Sequence, residues 1–444
     1  MSLRRQAVSL TILHAADVLQ PLLLLPYAGR VLGAHQFGEY AYALSIGQFA
    51  TTFVEYGFHW TAQRAAGAAR DDPKAIASLF AEVQMTKLVL CVLVTLAGLA
   101  AAGNVLAIGK PMFLCAMLLA VGGTMFPVWL LIGLERGGQA AVATVAARVL
   151  VLAAFLLLVR SPEQVELAVA LQSSVPLISG LVCLPFIARV GLSGLRGITP
   201  GTIARQLQQG RNGFLYAFVE RMATTLPLLL VQHVGGYAAA GQYSVAEKFV
   251  SATRPFFRIL SDTVLPRVAF HARHDPKAGL RLIRLSLSTL VVGATFSLGL
   301  FLVAPLIITR IFGESFAGAI PIVRLLAVVP LLLNVNTCTS NLYMFNYGHE
   351  RAWSILNLAS LTALLAVAFL LLHVLPDAGM AVSIAVVAKE AVVVVVSVGF
   401  LLVFGTSGGF GHNGRSILRT ARAKAGAALP AVVRRVVLEN DRIS

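Results

Sequence analysis

Apolar runs of bilayer-crossing length recur along almost the whole chain, and no other feature limits the fold as strongly. Leu88–Ala102, Met112–Leu134, Val142–Val159, Leu285–Ile308 and Leu356–Val374 each approach or reach the roughly 20 apolar residues that cross hydrocarbon as a helix. Charged residues make up only 12% of the 444, against about 25% in soluble domains. The sequence therefore specifies an all-α integral membrane protein. Hydropathy and turn residues together predict twelve spans, near 7–29, 39–60, 83–102, 112–133, 139–159, 166–188, 212–232, 239–265, 282–308, 319–345, 352–375 and 378–404. Arg4 and Arg5 resemble the start of a signal peptide, but His14, Asp17 and Pro21 interrupt the apolar stretch after them and no small-residue cleavage site is evident, so this segment is expected to stay as the first span.

Lys and Arg concentrate in cytoplasmic loops of membrane proteins. With twelve spans and both termini cytoplasmic, that side holds Arg4, Arg5, Arg64, Arg70, Lys74, Arg136, Arg189, Arg196, Arg205, Arg211, Arg267, Arg273, Lys277, Arg351 and the basic tail from Arg415 to Arg442. The opposite loops hold only Arg30, Lys110, Arg160 and Arg310. This asymmetry accounts for the net charge of +16 without a nucleic-acid surface, since the basic residues are scattered over short loops. It predicts a multi-pass inner-membrane protein with cytoplasmic ends.

The two halves repeat. At one constant shift Gly33, Gly38, Tyr40 and Ala43 fall on Gly236, Gly241, Tyr243 and Ala246, Arg64 falls on Arg267, and Asp17 falls on Glu220. The string Ala69-Arg70-Asp71-Asp72-Pro73-Lys74-Ala75 falls on Ala272-Arg273-His274-Asp275-Pro276-Lys277-Ala278, and at a larger shift Gly133-Leu134-Glu135-Arg136 matches Gly348-His349-Glu350-Arg351. Six spans return the chain to its starting side, so the repeat is parallel, about an axis along the membrane normal. The expected organisation is a six-helix bundle over 1–188, a basic linker over 189–211, a second bundle over 212–404 and a basic tail over 405–444. Two such pseudo-symmetric bundles facing a central cavity suit a carrier rather than an enzyme.

These motifs resemble those of the polysaccharide transporter family, the O-antigen-type flippases of the multidrug/oligosaccharidyl-lipid/polysaccharide exporter superfamily. Leu32-Gly33-Ala34-His35-Gln36-Phe37-Gly38-Glu39-Tyr40 is similar to that family's signature after span one. Pro127-Val128-Trp129 leading to Gly133-Leu134-Glu135-Arg136 is similar to its segment at the end of span four, and Gly241-Gln242-Tyr243-Ser244-Val245-Ala246-Glu247-Lys248 with Leu265-Pro266-Arg267 to its span-eight pattern. The resemblance implies a two-lobed, multidrug-transporter-like fold of twelve helices. It also implies export of an undecaprenyl-pyrophosphate-linked oligosaccharide, such as an O-antigen or exopolysaccharide repeat unit, with polysaccharide polymerase machinery as a partner.

Charges inside spans are costly, about 2.5–3.5 kcal/mol at a helix centre on insertion scales, and tend to face a wet interior. The candidate substrate-binding cations are Arg148, Arg221, Lys248, Arg254, Arg258 and Lys389, and the candidate ion-coupling acids are Asp17 and Glu220; Lys87, Arg324, Glu55, Glu247, Asp262 and Glu390 are the other charges inside or at the edges of spans. On one continuous helix Glu247, Arg254, Arg258 and Asp262 fall within about 80° of one another, a charged stripe suited to a pyrophosphate. A proton or sodium gradient is the expected energy source, since no G-x-x-x-x-G-K-[ST] loop for ATP occurs. No cofactor is expected: His14, His233 and His373 are isolated. Cys91, Cys115, Cys183 and Cys338, all in apolar segments, read as packing residues, and Tyr40, Trp129 and Tyr243 as interfacial-belt or packing residues rather than sugar-stacking platforms. The alternatives are a multidrug or cation antiporter, disfavoured by basic intramembrane residues outnumbering acidic ones, and a membrane polysaccharide polymerase or ligase, disfavoured by the short loops opposite the termini.

Overall fold

The computed structural model describes residues 3–190, 198–254, 256–257, 264–265, 267–271, 275–344, 346–347 and 349–404. Apart from an isolated bridge between Ala102 and Leu106, the regular elements among them are helices.

Two helices set the plan, α1 (Leu3–Glu55) and α10 (Pro200–Ser251). Both are far too long for one crossing, and each is broken at one glycine: Gly33 in α1, at φ 70° and ψ 171°, and Gly236 in α10, at φ 73° and ψ −175°. These are equivalent positions of the sequence repeat. That backbone region is essentially closed to residues with a side chain, at about 1–3 kcal/mol, so the repeated glycine is the hinge that folds one helix into two spans. Among the described residues nine helices are long and apolar enough to cross a membrane, α10 among them. α1 runs over the first two segments that hydropathy predicts, and α10 over the seventh and the start of the eighth.

Between these two lie α2 (Phe58–Ala68), α3 (Pro73–Ala101), α4 (Lys110–Met125), α5 (Val128–Gly133), α6 (Gly137–Leu158), α7 (Val165–Ser173), α8 (Val175–Val182) and α9 (Leu184–Val190). After them come α11 (Pro276–Ser286), α12 (Leu290–Ile307), α13 (Ala319–Leu326), α14 (Val329–Asn336), α15 (Glu350–Val374) and α16 (Ala378–Phe404). The repeated Asp-Pro-Lys-Ala string starts α3 and α11 in the same way. An Asp caps the helix, Pro occupies its first turn, and the carboxylate accepts from backbone N–H groups: Asp72 from Lys74 at 2.9 Å and Ala75 at 3.1 Å, Asp275 from Ala278 at 3.1 Å. Pro127 separates α4 from α5 because the residue before it, Phe126, is held extended.

By its contacts the chain forms two units, Met1–Val245 with Leu306–Ala319, and Ala246–Pro305 with Ile320–Ser444. The first has a core around Phe58, Phe80, Phe126, Trp129 and Leu130. Trp129 is completely buried there, and Tyr40 and Tyr243 are buried too, which favours packing over an interfacial belt for all three. Cys91, Cys183 and Cys338 are buried and Cys115 is half-buried, all as free thiols. The second unit has a core around Ile283, Leu342, Tyr343, Met344 and Phe400.

Within the first unit the two halves of the repeat meet backbone to backbone. A Cβ on Gly38 would overlap the Tyr237 carbonyl oxygen, and one on Gly241 would overlap that of Ala34. The second glycine of the repeated motif is therefore required by space, as the first is by conformation. Close by, Tyr237 packs edge-on against His35 and Tyr42 and its hydroxyl donates to the Ala107 carbonyl. Residues 306–319 join this end: Phe316 packs on Phe37, and the Arg30 guanidinium donates to the carbonyls of Arg310 and Ile311.

Two expectations about α10 change. Its start at Pro200 lies inside the stretch read as a linker, because the Thr199 hydroxyl accepts from Thr202 N–H and Pro200 takes the first turn. Its end at Ser251 comes well before residue 265. At Thr253 the backbone N–H bonds back to Val250, three residues away, and the regular helix stops. The sequence signal was Pro255, which disfavours helical backbone in the residue before it.

Candidate functional site

Among the described residues of the first unit, three polar knots involve charges inside predicted spans. In the first, Arg148 of α6 donates through Nη1 to Gln20 Oε1 at 3.1 Å, while Gln20 of α1 and Gln172 of α7 exchange amide hydrogen bonds at 3.0 and 3.3 Å. Gln20 is buried and Arg148 half-buried. In the second, Arg221 of α10 donates through Nη1 to Gln48 Oε1 of α1 at 3.1 Å. A neutral amide satisfies one guanidinium donor and leaves the positive charge in place, so Arg221 is oriented without being neutralised by Gln48.

The third knot is an ion pair. Lys87 of α3, with a side chain 0% exposed, donates to Glu55 Oε1 of α1 at 2.8 Å and to the Gly123 carbonyl of α4 at 2.7 Å. It ties three spans together at the last residue of α1.

Of the two predicted acids, Glu220 is exposed on α10, and the side chain of Asp17 lies outside the described residues although its backbone is helical. Arg258 and Asp262 also lie outside them. The expected stripe from Glu247 to Asp262 assumed one continuous helix, and the break after Ser251 removes that basis: 100° per residue does not carry across residues 252–253.

In the second unit the predicted cations have local partners. Lys248 pairs with Glu247 at 3.5 Å, and Lys389 with Glu390 at 2.6 Å, so adjacent carboxylates balance both charges. Arg254 is different: its Nε is buried without a hydrogen-bond partner among the described residues. Arg324, on α13, lies over the Phe301 ring at 5.4 Å. Beyond the spans, the turn before α15 holds Tyr347, whose hydroxyl is pushed up to about 12 by burial and by nearby Asp275, and His349, whose imidazole burial holds below its ordinary value. Among the described residues no group of three His, Cys, Asp or Glu is placed to hold a metal ion.

At the Glu55 end of α1 an aromatic seam runs between α1 and α10. Tyr56 stacks on Phe214 with centroids 4.5 Å apart and planes 8° from parallel, and Phe49, Phe53 and Phe218 continue the row. The seam begins at a strained turn, where Tyr56 and Gly57 take φ of 43° and 80°.

The family model described as polysaccharide biosynthesis protein matches residues 3–270. The chain belongs to that family. This bears out the resemblance carried by its motifs. Two relatives are each named "Putative O-antigen transporter". The one from Escherichia coli (strain K12) is 25% identical over 374 residues, covering 83% of this chain and 89% of that protein. The one from Shigella dysenteriae is 21% identical over 384 residues, covering 86% and 96%. Among solved structures, an inward-facing multidrug resistance MATE family transporter of the MOP superfamily superposes with a TM-score of 0.65 at 18% identity, covering 86% of this chain and 93% of that one. The lipid II flippase MurJ, in an inward closed conformation, superposes with a TM-score of 0.61 at 14% identity, covering 98% of each. The fold is thus that of the MATE-like carriers, and the protein is a multi-pass helical membrane protein.

Two glutamines of the spans hold predicted arginines, Gln20 on Arg148 and Gln48 on Arg221, and Gln172 is bonded to Gln20. The one signal available was that these glutamines lie inside predicted spans.

Proposed function

We propose that the protein is a flippase for an undecaprenyl-pyrophosphate-linked oligosaccharide, moving it from the cytoplasmic to the periplasmic leaflet of the bacterial inner membrane by alternating access. It carries a substrate and does not transform it. The family match and the two relatives named as O-antigen transporters support this, and the whole-length fold likeness to a lipid II flippase agrees with it. In this reading the lobes are residues 1–188 and 212–404, joined by 189–211, the termini are cytoplasmic, and a polysaccharide polymerase receives the product. The polyprenyl tail stays in lipid while the polar head passes through a hydrated lumen, because unsatisfied polar groups are costly in hydrocarbon.

The observation that carries the substrate class is Arg221, a half-buried guanidinium inside a span that donates to the neutral Gln48 amide. A guanidinium so oriented matches a diphosphate bidentately. Arg148 and Arg254 are proposed to extend this cationic lining, as is Arg258, which lies outside the described residues. Lys248 and Lys389 join it only when released from their adjacent acids. Asp17 and Glu220 remain the proposed ion-coupling carboxylates.

Cells lacking the protein should lose the corresponding surface glycan. Arg221→Lys should restore most of it, Arg221→Ala less and Arg221→Glu least, at equal membrane abundance. Normal surface glycan without the protein would overturn the reading.

A further inference from the structure

The chain has three Trp and nine Tyr. Among the described residues only Trp60 and Tyr216 of these are exposed, at 42% and 47%, and the two meet. They come from different helices, α2 and α10, and pack edge-on with centroids 5.5 Å apart and planes at 78°. The local fold brings them together. Gly57, at φ 80°, approaches Gly213 so closely that an added Cβ would lie 2.7 Å from backbone atoms, which sets the first turn of α2 against α10. α2 then buries Phe58, Ala62 and Ala66, one turn apart. Its opposite face, with Trp60 and with Arg64 one turn on, stays exposed. The rings of the neighbouring seam are half-buried and serve packing. Packing does not account for Trp60 and Tyr216.

Two observations separate this pair from an aromatic belt in lipid. A belt places Trp and Tyr at both membrane interfaces, whereas here the exposed ones form a single pair. The face of α10 that carries Tyr216 is also polar: Asn212, Tyr216 and Glu220 follow at steps of four residues and are all exposed, within about 80° of one another. Glu220 lies about 12 Å along the helix from Asn212, where the predicted span begins. A carboxylate facing hydrocarbon at that depth is costly, so this face borders water.

We infer that Trp60 and Tyr216 form a sugar-stacking shelf that receives the oligosaccharide head of the substrate on the cytoplasmic side. The inference rests on the flippase reading for its ligand and adds a subsite to it. A pyranose ring presents a face of partly positive C–H hydrogens, which suits the negative face of an aromatic ring. Its hydroxyls need donors and acceptors beside that face. Asn212 offers both, Glu220 accepts and Arg64 donates. A diphosphate is the poorer occupant, because the negative ring faces repel an anion. The shelf is therefore distinct in chemistry from the arginines proposed for the diphosphate.

The test uses the full chain in lipid nanodiscs and, as probe, the oligosaccharide released by mild acid from the undecaprenyl-pyrophosphate-linked pool of the cells that make the protein. Calorimetry should show binding to the native protein. Affinity should fall about tenfold in Trp60→Leu and in Tyr216→Leu, which keep an apolar side chain and lose the ring. Trp60→Phe and Tyr216→Phe should stay within about threefold of native, because a ring remains. Trp60 emission, taken as native minus Trp60→Phe, should be quenched by aqueous acrylamide and protected by the probe. Native affinity in both Leu variants overturns the shelf, as does a native protein that binds no probe. Quenching of Trp60 by brominated lipid in place of acrylamide assigns the pair to a belt and overturns it too. In each of these cases surface glycan lost from cells lacking the protein would leave the flippase reading standing. Ring-dependent binding, with normal surface glycan in cells lacking the protein, keeps the shelf and removes the flippase.

Discussion

The second half of α1 closes against α10 at both of its ends, and by opposite means. At the Gly38 end, small residues let two backbones overlap: Gly38 on Tyr237, Gly241 on Ala34. At the Glu55 end, Tyr56, Phe53 and Phe49 lie along Phe214 and Phe218, a broad aromatic contact around the close approach of Gly57 to Gly213. A glycine crossing depends on shape and separates with small loss of buried area, whereas an aromatic seam is held by area and by ring geometry. The difference teaches that one helix can carry one contact set by backbone shape and another set by buried ring area. In the topology proposed from the basic loops, the first is periplasmic and the second cytoplasmic.

The seam should be the more costly to break. Phe214→Ala removes a half-buried ring that contacts Tyr56, Phe53 and Phe218, and should destabilise by about 2–4 kcal/mol, somewhat below the usual cost for a fully buried Phe. Denaturation midpoints of the purified protein would check this. A midpoint within error of the native one would remove the seam from the account.

The crossing should respond in shape more than in stability. Gly38→Leu or Gly241→Leu overfills it at about 1–3 kcal/mol, which corresponds to about a 5- to 150-fold shift toward the separated form. An Ala34→Cys reporter should then react faster with an impermeant maleimide by a similar factor. Equal reaction rates in both backgrounds would show that the glycines are not what closes this end.

The smallest effect belongs to the polar contact at the crossing. Tyr237→Phe keeps the ring against His35 and Tyr42 and deletes only the hydroxyl that donates to Ala107. It should cost about 0.5–1.5 kcal/mol, read as a minor rise in reactivity of the same reporter. An effect larger than that of Gly38→Leu would reverse the ranking of backbone overlap and hydrogen bond.

Much of this was legible in the sequence because it is local or periodic. Gly33 and Gly38 recur as Gly236 and Gly241, and each pair proves to have one physical duty, a conformation at the first and a close approach at the second. The Asp-Pro-Lys-Ala strings read as repeated loops and are repeated helix starts. The partners of the intramembrane charges were not legible. Gln20 meets Arg148 and Gln172 only through the rotation of three packed helices, which no spacing in the chain encodes. Lys248 with Glu247 and Lys389 with Glu390 are adjacent on their helices, a separation at which side chains do not ordinarily face each other, so their pairing ran against the helical rule. The continuous helix assumed for the charged stripe is interrupted after Ser251, and Pro255 was the local signal against it.

The central claim, that a lipid-linked oligosaccharide diphosphate crosses the membrane past Arg221, is tested most directly by reconstitution. The purified chain would be placed in vesicles carrying a labelled undecaprenyl-pyrophosphate oligosaccharide on one leaflet, and arrival on the other would be read by an impermeant glycosidase. The native protein should move the lipid far faster than protein-free vesicles, Arg221→Lys should retain part of that rate and Arg221→Glu should abolish it. Movement by native protein no faster than in protein-free vesicles, or full native rate from Arg221→Glu, would contradict the account.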